Sequence, residues 1–156
     1  LSLTTTMTKA FKGCTSFVGT TLNDWDVSTI TNMKYLFEDT TLFNGDISSW
    51  NTAAVTDMFG TFKGAVAFNQ NIGNWDTSQV TNMNGMFDGA VALSEENQCL
   101  IHISFSSNSA WPYDWSVSCP PLPGCTDPTA CNYDILHRSY KIVNSLHYQH
   151  ILVSFS

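Results

Sequence analysis

Charged residues are scarce in this chain. Asp, Glu, Lys and Arg make up 12% of the 156 residues, and only six of these are Lys or Arg, so the formal net charge is −7. An acidic chain with so few cations repels phosphate backbones and anionic membrane surfaces. We therefore expect no nucleic-acid partner, and a surface covered mainly by Asn, Thr, Ser and Gly.

Long apolar runs are also missing. No stretch approaches eighteen consecutive apolar residues, so the sequence predicts no membrane span. The opening residues, LSLTTTMTKAF, lack the basic region and apolar run of a signal peptide. Because the first residue is not Met and a repeated pattern has begun by Met7, we expect the sequence to be a piece of a longer one.

Signatures of catalysis and of cofactor binding are missing as well. The chain has no G-x-S-x-G turn, no EF-hand loop and no glycine-rich phosphate loop. His102, the only His before residue 135, is predicted to lie on a half-buried strand within CLIHISF. We predict no catalytic residue, no cofactor and no metal site, hence no enzyme. Stacked Asp side chains could hold Ca²⁺, although hydrogen-bonded turn acids are the commoner arrangement.

What the chain does have is a repeat of 25 residues. Four copies, the first of them incomplete, are anchored by Met7, Met33, Met58 and Met83. A fixed period of this length is typical of solenoids, in which each copy forms one coil. The predicted core positions are those that recur at this spacing: Trp25, Trp50 and Trp75; Met33, Met58 and Met83; Phe37, Phe62 and Phe87.

The spacing inside one copy predicts a short strand and a short helix. Val55, Met58 and Phe62 lie on one helical face, Thr56 stands where an N-cap would, and Gly64 where a C-cap would. The segment from Phe68 to Ile72 alternates as a short strand does. The expected fold is thus an α/β repeat, a solenoid of about three and a half coils.

One small-residue position and one polar face follow from the same alignment. Cys14, Thr40, Ala65 and Ala90 share a slot that is always small, which predicts a crowded interior and a buried Cys14 thiol. Polar side chains alternate with the apolar ones of the predicted strands. They form the candidate binding face, which comprises Asn44, Asp46, Asn69 and Asn71.

The repeated motifs resemble a known family. VTDMFGTFKGAVAFNQNIGNW and VTNMNGMFDGAVAL resemble the bacterial surface-protein repeat of about 25 residues, which is distantly related to BspA-like leucine-rich repeats. AFKGCTSF in the first copy resembles the BspA-like AF-x-G-C-x-x-L segment. The resemblance covers roughly residues 4 to 94. It implies a leucine-rich-repeat-like solenoid on a secreted or cell-surface protein, and it brings no catalytic residues.

The 25-residue repeat ends after Leu93, and residues 95–119 are predicted to cap the solenoid of residues 1–94. Cys99 and Cys119 bracket Trp111, Tyr113 and Trp115, which we interpret as an aromatic lid closed by a Cys99–Cys119 disulfide. The alternative is an aromatic platform that stacks a sugar ring. A disulfide would place the protein in an oxidising compartment, outside the cell.

Two further segments complete the chain. Residues 120–134 form a Pro-rich linker whose GCTDPTACNYD resembles the start of a Cys- and Asp-rich surface module, with Cys125 and Cys131 as a second possible pair. Residues 135–156 lack the acids, Gly and Cys that would continue that module, and we interpret them as a tail from a truncated or mis-joined gene product.

Two functions fit this organisation. The first is a non-enzymatic surface protein that uses the repeat for adhesion or for binding a protein partner, since repeat arrays present extended surfaces. The second is a carbohydrate-binding accessory module or a fragment of a larger secreted enzyme. The expected partner is accordingly a protein or a glycan on a cell surface.

Overall fold

The computed structural model describes residues 4–119, and the predictions made for residues 120–156 lie outside this range. Two helical elements occur in the described range: α1, Glu95–Phe105, and a short 3-10 turn, Ser116–Ser118. The four copies that precede α1 consist of turns and irregular backbone, and residues 4–119 contain no β-strand. The predicted short strands and the predicted helix in each copy are therefore wrong.

The backbone of each copy explains why no α-helix forms there. The N–H groups of Met58, Gly60, Phe62 and Gly64 donate to carbonyls of the next copy, with N···O distances of 2.7–3.0 Å. The intervening N–H groups close tight turns, such as Thr61 onto the carbonyl of Met58. Because every second N–H points to the neighbouring copy, the i→i−4 pattern of an α-helix is unavailable. Gly60 and Gly64 take left-handed φ values of 60° and 68°, which keep the backbone turning.

The same pattern joins all four copies. Four N–H groups of the first copy donate to carbonyls of the second, and the second pairs with the third in the same way. Isolated parallel bridges link Thr6 to Asn32, Asn32 to Asp57, and Asp57 to Asn82. Equivalent residues of successive copies therefore lie side by side, as the period in the sequence predicted.

The predicted strand at Phe68–Ile72 fails for a different reason. Phe68 and Ile72 are buried and the three residues between them are all half-buried, so a strict alternation is absent. The N–H of Asn69 donates to the side-chain Oδ1 of Asn44 at 2.8 Å and not to a neighbouring carbonyl. A side-chain amide thus takes the bond that a β-ladder would need.

Buried aromatic rings fill the centre of the copies. Phe37, Phe43, Phe62 and Phe68 are fully buried, and their rings stack within each copy at 3.9–4.0 Å and between copies at 5.7–5.9 Å. Burying one such side chain contributes about 1.5–3 kcal/mol. This cluster also includes the repeated Met33, Met58 and Met83, as well as Phe87, all of which were predicted as core positions.

The Trp positions are only partly as predicted. Trp50 and Trp75 are buried and stack at 6.0 Å, and their Nε1 groups donate to the carbonyls of Leu22 and Ile47. Trp25, predicted to be a core residue, is 46% exposed. Trp50 and Trp75 each donate to a carbonyl of the preceding copy, that of Leu22 or Ile47. Among the described residues, no copy lies on the corresponding side of Trp25.

Cys14 departs from its prediction for the same reason. Its equivalents Thr40, Ala65 and Ala90 are buried between neighbouring copies, but Cys14 lies in the first copy and is an exposed free thiol. A small residue at this slot is therefore required by the packing of the later copies. Among residues 4–119, no copy packs on one side of Cys14.

α1 replaces the half-buried strand that was predicted around His102. Ser94 is the N-cap, its side chain accepts the N–H of Asn97, and Glu95 and Glu96 occupy the first turn. An oxygen-bearing cap followed by acids is a standard helix start, and it was the signal missed in the sequence. Cys99 is disulfide-bonded to Cys119, which confirms the predicted link.

Candidate functional site

The candidate binding face lies on the outer side of the copies. Residues 42–47 alternate strictly: Leu42, Asn44 and Asp46 point outward, whereas Phe43 and Ile47 are buried. Gly45 lies close to the backbone of Gly19 in this segment. Asn44 and Asp46 of the predicted face are exposed, whereas Asn69 and Asn71 are half-buried, and no β-strand carries them.

An exposed apolar row runs along this surface. Leu42, Val66 and Val91 are 54%, 45% and 79% exposed. The N–H of Ala67 donates to the carbonyl of Thr41, and the N–H of Ala92 to that of Val66, so the three copies are neighbours at this point. We call Leu42, Val66 and Val91 the outer stripe. The sequence reasoning missed it, although Val66 and Val91, which share one slot of successive copies, were an available signal.

Side-chain amides border the outer stripe. Asn44 Oδ1 accepts the N–H of Asn69 at 2.8 Å and the Nε2 of Gln70 at 2.9 Å. Asn69 Oδ1 in turn accepts the N–H of Ser94 at 3.0 Å and the Nδ2 of Asn97 at 2.8 Å. The two predicted binding residues Asn44 and Asn69 are therefore brought together, and both hold one copy to the next.

The other two predicted residues of the face stabilise turns. Asp46 Oδ1 accepts the N–H of Ser48 at 2.9 Å and its hydroxyl at 2.7 Å. Asn71 Oδ1 accepts the N–H of Gly73 at 2.9 Å. Asp46 is exposed and Asn71 half-buried, so the former presents its carboxylate at the surface beside Asn44. Whether a partner contacts these groups stays a prediction.

A polar groove lies beside the residues that follow α1. It has a volume of about 910 Å³ and runs between the turn at Thr77–Thr81 and the residues that follow α1. Asn108 closes its floor, because its Nδ2 donates to the carbonyls of Thr77 and Val80 at 2.6 and 2.9 Å. Gln79, Ser107 and Ser109 line it with exposed amide and hydroxyl groups.

The aromatic group between the two cysteines packs onto the last copy. Trp111, Tyr113 and Trp115 lie with ring centroids 5.2–6.2 Å from Phe87. The hydroxyl of Tyr113 accepts the N–H of Phe87 and donates to Asp88. Burial raises the pKa of Tyr113 far above its usual range, so this hydroxyl remains a donor at all ordinary pH values. The three rings thus pack against the last copy, and their role as a lid stays a prediction.

Three lysines gather around the ring of Tyr35. The ammonium groups of Lys9, Lys12 and Lys34 lie 5.2–5.9 Å from the ring centroid of Tyr35. Lys12 also pairs with the buried Glu38, and this hydrogen bond raises the pKa of the lysine. These lysines and Tyr35 belong to the first two copies, and none of them is a residue of the outer stripe.

The stacked turn acids are hydrogen-bonded. Asp26 and Asp76 each accept the N–H of the Ser two residues later, Ser28 and Ser78, at 3.0 and 2.8 Å. Hydrogen bonds from these serines lower the pKa of both carboxyls. Nowhere in residues 4–119 do three or more His, Cys, Asp or Glu side chains gather as a metal site would require.

His102 makes a structural contact. Its Nδ1 accepts the Nε1–H of Trp111 at 3.1 Å, and burial lowers the pKa of the imidazole. A histidine whose Nδ1 accepts a hydrogen bond is held neutral, with its proton on Nε2. The pair ties α1 to the aromatic lid.

Comparison with known proteins identifies a family but no function. No curated protein and no solved structure matches the chain. The described part contains no helix with the length and apolar character that crossing a bilayer requires. Residues 5–108 match the model of DUF285, described as a Mycoplasma protein of unknown function. Since this match spans the four copies and all of α1, the chain belongs to the DUF285 family.

Proposed function

We propose that this chain is a non-enzymatic repeat scaffold of a secreted or cell-surface protein, and that it binds a protein partner on its outer face. The proposed architecture is a leucine-rich-repeat-like solenoid of about three and a half coils, related to the BspA-like type. The backbone hydrogen bonds between successive copies support this architecture, because a solenoid coil contacts mainly its neighbours.

The outer stripe carries the proposal of a protein partner. Val66 and Val91 stand exposed at equivalent positions of successive copies, and Leu42 is exposed in the preceding copy, one position later in the repeat. Apolar rows edged by amides and a carboxylate suit a protein surface, since interfaces combine an apolar centre with a polar rim. Asn44, Asp46 and Gln70 would supply that rim.

The disulfide supports the proposed location. Cys99–Cys119 joins α1 to the end of the lid, and such bonds persist in oxidising compartments. The scarcity of cations fits a partner that is neither a nucleic acid nor an anionic lipid surface.

A random-peptide display library tests the proposal without a known partner. Peptides are selected on the wild-type protein and counter-selected on Leu42→Asp/Val91→Asp, which places charges on the outer stripe. Val117→Asp is the matched control, because Val117 is 92% exposed and lies away from the stripe. We expect the selected peptides to bind the wild type and V117D equally and not to bind the double variant. The melting temperature of the double variant should equal that of the wild type. Peptides indifferent to the double variant would contradict the proposal.

A carbohydrate-binding accessory module is the second candidate, and the polar groove favours it. Its hydroxyl and amide groups suit sugar hydroxyls, but Trp75 at its edge is only 2% exposed and offers no stacking face. Binding on a glycan array that is lost in Gln79→Ala/Ser107→Ala, and kept in L42D/V91D, would favour this candidate over a protein partner.

A further inference from the structure

Positive charge is concentrated at one tyrosine ring of this acidic chain. The ammonium groups of Lys9, Lys12 and Lys34 lie 5.9, 5.2 and 5.4 Å from the ring centroid of Tyr35. They are half of the six Lys and Arg residues in a chain whose net charge is −7. We call Lys9, Lys12, Lys34 and Tyr35 the lysine cluster. Its centre, Lys34 and Tyr35, belongs to the second copy, which has a neighbouring copy on each side.

The ring of Tyr35 lies in a space that a glycine leaves open. Gly60 occupies the repeat position of Tyr35 one copy later, and a Cβ at Gly60 would lie only 2.7 Å from a ring carbon of Tyr35. Phe59 meets the same ring edge-on, with the centroids 5.1 Å apart and the planes at 88°. The ammonium of Lys34 also lies 5.0 Å from the Phe59 centroid. Residues of the third copy therefore fix the ring around which the lysines gather.

The backbone of the lysine cluster is strained where the later copies are relaxed. Lys9 and Tyr35 have left-handed φ values of 61° and 57°. The same repeat position holds Gly60 and Gly85 in the third and fourth copies, with φ values of 60° and 62°. A left-handed φ costs free energy for a residue with a Cβ and is rare for a bulky one. Because strained residues concentrate at functional sites, a Lys and a Tyr at a glycine position indicate a role beyond folding.

Two of the three ammonium groups lack a carboxylate partner. Lys12 pairs with the buried Glu38, and the exposed Asp39 also attracts this lysine. Among residues 4–119, neither Lys9 nor Lys34 forms an ion pair. Their attraction to the aromatic rings holds both ammonium groups close together, where like charges repel. An anionic group placed beside Lys9 and Lys34 would relieve this repulsion.

We propose that the lysine cluster is a binding site for a short acidic peptide segment of a partner protein. Carboxylates of the segment pair with Lys9 and Lys34, and the half-buried rings of Tyr35 and Phe59 contact its methylene groups. The site is separate from the outer stripe, so the inference goes beyond the proposed function and does not depend on it.

The charge distribution favours a short peptide over a long polyanion. At physiological ionic strength, charges farther apart than about 8 Å are largely screened, so a short segment interacts mainly with the cluster. A long sulfated glycan would also meet the acids that give the rest of the chain its negative charge. The ammonium groups lie over the Tyr35 ring, in the space where a sugar would have to stack.

Fluorescence anisotropy of a labelled hexaglutamate peptide tests the proposal at an ionic strength of about 0.15 M. Hexaglutamine is the uncharged control peptide. Lys34→Gln removes one charge from the lysine cluster. Lys63→Gln is the matched control variant, because it removes the same charge from an exposed lysine of the third copy that lies outside the cluster. Lys34→Arg keeps the charge and checks that the loss in K34Q comes from charge and not from a folding defect.

We expect hexaglutamate, but not hexaglutamine, to bind the wild type and K63Q with equal affinity. K34Q should raise the Kd about fivefold, as the loss of one partly exposed ion pair does, and K34R should restore most of the affinity. Equal affinities of K34Q and K63Q would overturn the inference, as would a wild type that does not bind hexaglutamate. Dextran sulfate that binds in its place, and binds less well to K34Q, would assign the cluster to an anionic glycan instead. None of these outcomes changes the peptide selection on the outer stripe.

Discussion

The rings of Phe37 and Phe62 lie 5.7 Å apart and 10° from parallel, although twenty-five residues separate them in the chain. Each also stacks on a second Phe of its own copy, Phe43 and Phe68 respectively. The core is thus a continuous stack of aromatic rings, and its continuity depends on the equal spacing of the copies.

Replacing Phe62 with Ala should destabilise the protein by about 3–5 kcal/mol, as for other buried aromatic residues. Phe62 is fully buried and contacts rings of three copies, so its removal leaves a cavity that neighbouring backbone cannot fill. Urea unfolding measures the change. Phe59→Ala is the control, because Phe59 is half-buried at the surface beside Tyr35. Equal losses in both variants would contradict the ring stack.

Asn69→Ala should leave the fold intact but lower the free energy of unfolding by about 1 kcal/mol. The substitution removes the acceptor of the Ser94 N–H and of the Asn97 amide, which tie the third copy to the start of α1. Asn74→Ala, at an exposed asparagine of the same copy, should change stability by less than about 0.5 kcal/mol. Thermal unfolding of both variants decides whether Asn69 is part of an inter-copy ladder.

The Cys99–Cys119 disulfide should resist alkylation in the absence of reductant, whereas the exposed thiol of Cys14 should react. Peptide mass mapping under native conditions measures both. A double Cys99→Ser/Cys119→Ser variant should lose about 3 kcal/mol, because the bond closes a loop of roughly twenty residues. Labelling of Cys99 or Cys119 in the unreduced protein would exclude the bond.

Stability should fall as the pH drops below about 6.5, the ordinary pKa of histidine. Burial lowers the pKa of His102, so the unfolded chain binds its proton at a higher pH than the folded chain does. The contribution of His102 is therefore complete above about 6.5 and is lost as the pH falls through the folded-state pKa.

His102→Asn is the matched variant for this pH dependence, because its Oδ1 takes the place of Nδ1 and can accept the Trp111 Nε1–H without titrating. Unfolding free energies of both proteins are compared between pH about 8 and about 5, above the range in which Asp residues titrate. The difference between the two proteins should change with pH. A constant difference would show that His102 does not contribute through its protonation.

The register of the copies can be read from the repeat period alone. The positions of Met33, Met58 and Met83, and of Phe37, Phe62 and Phe87, are those that neighbouring copies bury. This information is present in the sequence because each copy must pack on the next, and a mismatch at one position would open the stack. The Cys99–Cys119 bond was likewise foreseen, from cysteines that bracket an aromatic group.

The local backbone conformation depends on contacts between copies. The i, i+3, i+7 spacing of Val55, Met58 and Phe62 suits a helix, but alternate N–H groups find carbonyls of the next copy, which no local pattern reveals. The tertiary structure also sets exposure: Trp25 and Cys14 occupy core positions of the repeat, but among residues 4–119 no neighbouring copy covers one side of them. The spacing of the repeat identifies which side chains face a neighbouring copy. Whether those side chains are buried depends on whether that copy is present.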